Sequence, residues 1–338
     1  MKIGYFADGR WAHRALDKML QAPWLEIAFI VGRHNAPDPV LQGYAERMGV
    51  PYLLHPNVNS PEFLGIVEPF ACDMYVSLSF NQVFKAGFFT SVARGVINCH
   101  AGALPFYRGR NVLNWALING ETRFGVTVHH VDEGIDSGDI ILQRFAEITP
   151  DDNYGSVLDK AVELCAETMF EALSLLRAGR APRVPQASIH PVGFYCGMRR
   201  AGDEWIDWTW RAERVHNFVR GIASPGPGSR TLLAGRPLAI LASQLVPGAP
   251  GYIGTPGEVV GRDADGILVQ TGTTALRIAS VAEVHPGGGL GEPRKPAFPI
   301  GTRFQTHTTV MLEELEKRVR KVELQLQSFQ VCPEDSNP

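Results

Sequence analysis

Short apolar runs alternate with helical periods over the first half of the chain. Residues 2–6 (KIGYF), 26–31 (EIAFIV), 51–54, 74–78 and 96–98 have the length and continuity of strands buried on both faces. Between them, residues 10–21 place Ala12, Ala15, Leu16, Met19 and Leu20 on one helical side. Pro37 and Pro39 open a helix that runs to Met48, residues 61–70 form another, and residues 111–119 a third that stops at Gly120. Residues 125–131 (GVTVHHV) and 139–148 (DIILQRFAEI) read as further strands, and 154–177 as a long helix of good formers. Strand and helix in alternation predict an α/β fold, a Rossmann-like, mostly parallel sheet covered on both sides.

The texture changes after Ala178. GRAPRVPQ (179–186) reads as a proline-containing connection. Residues 211–222 form an amphipathic helix with Val215, Phe218, Val219 and Ile222 on one face. Short β segments with turns fill residues 224–299, the signature of a small antiparallel, OB-like barrel. In the tail, Leu312, Leu315, Val319, Val322, Leu326 and Phe329 follow 3-4-3-4-3 spacing. That stripe suits either an amphipathic helix docked on its own chain or a helix pairing across a homodimer. The expected domains are a catalytic domain (1–185), a linker with a short helix (186–223), a barrel (224–303), and a helix with a frayed tail (304–338).

Composition narrows the class. The chain has 338 residues, 45% hydrophobic and 20% charged, enough to bury a sizeable core. No apolar run reaches the roughly 18–20 residues of a membrane helix. The N-terminus has a charge within its short apolar stretch and no cleavage pattern, so no signal peptide is expected. Cys72, Cys99, Cys165, Cys196 and Cys332 have no CxxC spacing, which fits a reduced, cytoplasmic protein without a zinc site. The net charge is −3, which disfavours bulk nucleic-acid binding.

The candidate chemistry lies between Val96 and Ile141. Asn98 and His100 are two apart at a strand end, so their side chains share one face. That edge is where open α/β sheets place ligands. Pro105-Phe106-Tyr107-Arg108-Gly109-Arg110 resembles a loop that wraps an anionic or planar ligand, or a solvated loop with stacked arginines. Residues 132–139 hold four acids and two glycines but lack the ligand pattern of a calcium loop. His129 and His130 are adjacent on a strand and point apart, which disfavours a shared metal.

In combination these motifs resemble the folate-dependent formyltransferase superfamily: Asn98-x-His100, then Pro-x-x-Arg-Gly, GVTVH (125–129), and Asp-x-Gly-Ile-Asp136-x-Gly. The resemblance runs from residue 1 to about 285, with Ala101-Gly102-Ala103 a mild departure. It implies transfer of a formyl group from 10-formyltetrahydrofolate to an amine, with Asn98, His100 and Asp136 as the catalytic triad and no metal. By the same resemblance the pterin enters a pocket formed by Phe80, Val83, Phe84, Ile135 and Asp136. NVLNWALINGETRFGVTVHH (111–130) looks most like the sugar-nucleotide N-formyltransferases of lipopolysaccharide synthesis. That implies a nucleotide-linked aminodeoxysugar approaching along Asp8, Arg10, Trp11, Phe106, Tyr107, Arg108 and Arg110. From Arg199 to Arg303 there are 12 Lys and Arg against 9 Asp and Glu, which favours a small acceptor and no nucleic acid. The alternatives are a methionyl-tRNA formyltransferase, whose second domain is a similar barrel, and a formyltransferase acting on another small primary amine.

Formyl transfer needs a proton shuttle and a donor to the developing oxyanion. His100 suits the first because its ordinary pKa lies near neutrality. Asp136 would orient the ring and favour its protonated form. Asn98 can offer an amide N–H to the oxyanion. Either His100 or Asp136 could take the amine proton.

Overall fold

The computed structural model describes residues 1–330; Cys332 and the frayed end expected at 332–338 lie outside them, as does the side chain of Phe329. The chain forms two units, divided between Arg199 and Arg200.

The first unit runs β1 (Lys2–Ala7), α1 (Gly9–Met19), β2 (Glu26–Gly32), α2 (Pro39–Met48), β3 (Tyr52–Leu54), α3 (Pro61–Val67), β4 (Met74–Leu78), α4 (Ala86–Phe89) and β5 (Val96–His100). It continues through β6 (Arg108–Gly109), α5 (Val112–Ile118), β7 (Arg123–His130), β8 (Ile140–Glu147), α6 (Tyr154–Arg177), α7 (Gln186–Ile189) and β9 (Tyr195–Cys196). Seven strands form one sheet in the order β3-β2-β1-β4-β5-β7-β8. β3, β2, β1, β4 and β5 pair in parallel, and β7 and β8 add antiparallel. The sheet is therefore Rossmann-like and mostly parallel. Strand order reverses at β1, whose neighbours are β2 and β4, and such a switch point opens a crevice at the carboxyl edge.

Both faces of the sheet are covered, which is why its strands read as continuous apolar runs. One face buries Leu16, Leu41, Leu117 and Met169 from α1, α2, α5 and α6. The other buries an aromatic cluster of Phe6, Phe29, Phe63, Phe84 and Phe88. Helix starts follow local chemistry. The Asp38 side chain accepts from the N–H groups of Val40 and Leu41, and Asn153 and Ser156 form a capping box at α6. The helix expected over 61–70 stops at Val67 and tightens into a 3₁₀ turn through Pro69, which has no N–H for an α-helical bond. Residues 186–199, expected in the linker, lie in the first unit: β9 pairs in parallel with β6.

The second unit runs α8 (Ala212–Gly221), β10 (Ser229–Leu233), β11 (Arg236–Leu245), β12 (Val259–Arg262), β13 (Ile267–Gln270), β14 (Ala275–Glu283), β15 (Phe304–Gln305) and α9 (His307–Gln330). Its antiparallel sheet has the order β12-β13-β14-β11-β10-β15. A bridge between Glu258 and Arg303 links the two edges, so the sheet curls back on itself. Trp208 fills the interior, donates from Nε1 to Thr231 Oγ1 at 2.9 Å and stacks on Phe304.

Candidate active site

β5 carries Asn98 and His100 to the carboxyl edge of the sheet. Its antiparallel register with β7 sets Asn98 opposite His129 and His100 opposite Thr127. Asp136 sits in the loop between β7 and β8, with a left-handed backbone at φ 53°. A non-glycine residue holds that conformation only when its surroundings fix it. Gln186 does so here: its Nε2 donates to the carbonyls of Asp136 at 2.8 Å and Gly138 at 2.9 Å.

The Asp136 carboxylate then faces back toward β5. Its Oδ2 lies 3.6 Å from His100 Nδ1 and accepts from the Gly109 N–H at 2.9 Å. Its Oδ1 lies 3.5 Å from His129 Nε2. His129 Nε2 in turn lies 3.4 Å from Asn98 Nδ2. The three expected triad residues thus converge from two segments, with His129 between two of them.

Proton positions follow from the acceptors. His100 Nε2 donates to the Tyr107 carbonyl at 2.7 Å, and a carbonyl can only accept. In the neutral ring the lone pair is therefore at Nδ1, facing Asp136. Burial pushes the His100 imidazole below its ordinary value, against the opposing pull of the Asp136 charge. The carboxylate does favour the charged ring, as expected, but the buried site disfavours that charge more strongly. Burial would raise the Asp136 carboxyl too. There the His100 ring, His129 and the Gly109 N–H outweigh it and bring the group down to about 2. A neutral base beside an ionised carboxylate can take a proton from an amine.

The site opens into a cleft of about 990 Å³. Phe80, Val83, Phe84, Ile135 and Asp136, expected around the pterin, all border it. Val83 and Ile135 are 61% and 54% exposed, so they offer unburied apolar surface. Phe84 is itself buried and stacks between Phe80 and Phe88, so it also belongs to the core. This apolar rim beside hydrogen-bonding groups fits a flat, polar-edged ring. Among the described residues, no group of three or more His, Cys, Asp or Glu is placed to hold a metal ion.

The expected acceptor side is only partly assembled. Trp11 and Arg110 line the cleft. Asp8 pairs with Arg33 at 3.0 Å, and Arg10 pairs with Asp159. Arg108 donates to Gln186 Oε1 at 2.6 Å and lies over the Tyr195 ring. Phe106 and Tyr107 line a separate cavity of about 470 Å³. Reading residues 105–110 as one ligand-facing loop overlooks the left-handed backbone at Tyr107 (φ 53°), which redirects the chain. His129 and Gln186 had no expected role. His129 shares a strand face with Thr127, two residues away on a strand whose middle (Phe124, Val126, Val128) is apolar on the other face, a signal the sequence does carry.

Residues 1–173 match the family model described as formyl transferase, and residues 200–286 match formyl transferase, C-terminal domain. A methionyl-tRNA formyltransferase of Geobacter sulfurreducens is 36% identical over 286 residues, covering 82% of this chain and 88% of that protein. One from Syntrophus aciditrophicus is 39% identical over 209 residues, covering 61% of this chain and 66% of that protein, just under two thirds of its length. The solved structure of WlaRD, a sugar 3N-formyl transferase, superposes with a TM-score of 0.59 at 17% identity, covering 82% of this chain and 97% of that one. This last likeness is one of fold. The curated relatives overturn the expected aminosugar acceptor, its lipopolysaccharide setting and the exclusion of nucleic acid. That expectation leaned on charge averaged over residues 199–303, and an average says nothing of where individual arginines lie.

Proposed function

The chain belongs to the formyl transferase family, and from that premise we propose that it transfers a formyl group from 10-formyltetrahydrofolate to the α-amino group of methionyl-tRNA. The methionyl-tRNA formyltransferases among its relatives support the acceptor. The observation that carries the chemistry is the 3.6 Å approach of Asp136 Oδ2 to His100 Nδ1, two strand residues from Asn98 and within one cleft. Unpaired Cys72, Cys99, Cys165 and Cys196 fit a reducing, cytoplasmic setting.

The folate supplies the formyl carbon, and Phe80, Val83 and Ile135 offer its ring an apolar rim. Neutral His100 accepts the amine proton at Nδ1, and Asp136 stabilises the charged ring that results. His100 can then return that proton to the departing nitrogen. Asn98 offers an amide N–H to the formyl oxygen as it gains charge, an interaction whose loss typically costs about 2.7–4 kcal/mol. His129 gives its Nδ1–H to the His130 carbonyl, which leaves Nε2 to accept from the Asn98 amide and helps fix that amide.

The test is formylation of charged initiator tRNA by the purified chain with 10-formyltetrahydrofolate, followed as formylmethionine released after deacylation. The expected outcome is turnover that His100→Ala abolishes. No product with methionyl-tRNA, alongside formylation of a different amine, would replace the acceptor. Full activity in the His100 variant would remove the chemistry.

A further inference from the structure

We infer that α9 is a dimerisation helix: it pairs with α9 of a second copy of this chain as a parallel, two-stranded coiled coil. Leu312, Leu315, Val319, Val322 and Leu326 repeat at 3- and 4-residue spacing along this 24-residue helix. All five are between 51% and 59% exposed. A helix in water is stabilised mainly by packing its apolar stripe against something, and among the described residues nothing buries this stripe. The spacing makes Leu312, Val319 and Leu326 the a positions, with Leu315 and Val322 at d.

Charge selects both the partner and its direction. Between Glu313 and Glu323 there are four glutamates, at 313, 314, 316 and 323, and four bases, Lys317, Arg318, Arg320 and Lys321. The segment is therefore neutral and does not repel its own copy. With Leu312 at a, Arg318 falls at g and Glu323 at the e position of the next heptad. In a parallel pair, g of one helix meets the following e of its partner, so Arg318 faces Glu323 twice, once on each side of the seam. Antiparallel pairing would set Glu316 against Glu323 and leave Arg318 beside Gln325. Parallel self-association satisfies the charges; antiparallel association opposes them.

Sedimentation equilibrium of the full chain tests this. The expected mass is twice 37.1 kDa at micromolar concentration. Leu315→Glu with Val322→Glu should sediment as a monomer, with an unchanged melting profile for the rest of the chain. Arg318→Glu alone should weaken the dimer by about tenfold in Kd, and Arg318→Glu with Glu323→Arg should restore it. A wild-type chain that is monomeric up to hundreds of micromolar overturns the inference, because its own chain or a different protein would then be the cover. So does a dimer that survives the double glutamate substitution, since another surface would hold it. An Arg318→Glu variant that dimerises like wild type overturns the parallel arrangement.

Discussion

The Nε2–H of His100 is donated to the backbone carbonyl of Tyr107 over 2.7 Å, and this bond decides which nitrogen of the ring is free. Gly102 makes room for it. A Cβ at Gly102 would fall 2.3 Å from the Tyr107 oxygen and 2.5 Å from His100 Nε2. Both atoms are held, one in backbone and one in a buried ring. Gly102→Ala is therefore expected to lower kcat by at least about tenfold, since a misplaced base loses its alignment. Steady-state kinetics beside a thermal melt checks this; unchanged kcat would mean the ring is free to move.

Asn98→Ala, His100→Ala and Asp136→Ala should each reduce turnover at least about a hundredfold. Circular dichroism and melting should show an intact fold. A variant that loses activity only because it unfolds would not support its assigned role.

Because burial lowers the His100 pKa, its base form persists into acid. The acid limb of kcat/KM should lie below the ordinary histidine value of about 6.5. Asp136 opposes that lowering, so Asp136→Asn should move any residual limb further down. A limb above 6.5 would show that the carboxylate outweighs burial.

Gln186 is 3% exposed and uses its whole amide, accepting from Arg108 and donating to the carbonyls of Asp136 and Gly138. It acts as a positioning residue for Asp136. Gln186→Ala should reduce kcat by about tenfold or more, the cost of leaving these buried groups unpaired. The discriminating readout is a kcat loss larger than any change in KM for the folate. Equal effects on both, or a fall in melting temperature alone, would reduce Gln186 to a structural tie.

Acid should destabilise the protein in two windows. Burial holds His130 and His216 near a pKa of about 4, below their unfolded value of about 6.5. The unfolded chain therefore binds protons first, and stability falls as pH drops from about 6.5 to 4. Asp136 and Asp152, both down at about 2, contribute stability that is present above about pH 4 and lost as pH falls toward 2. Urea melts across pH 7 to 2 should show both slopes. Asp152→Asn should flatten the lower one.

The local code was legible where periodicity carries it. Continuous apolar runs in residues 26–31 and 74–78 announce strands buried on both faces, and the structure places them in the parallel sheet. A two-residue spacing puts Asn98 and His100 on one face whatever packs around them. Those properties depend on neighbours along the chain, so the sequence alone determines them. What reaches Asn98 and His100 across space depends on long-range register and loop conformation. The β5–β7 pairing brings His129 to Asn98, and Gln186, 50 residues from Asp136, fixes the left-handed turn that aims the carboxylate. Arg10 and Arg108, plausible ligand contacts as charges in a line of text, are taken up by Asp159 and Gln186. The sign of the His100 shift was likewise decided only by tertiary structure. It is a contest between a nearby charge, which the motif announces, and desolvation, which exists only once the surrounding chain has closed over the ring.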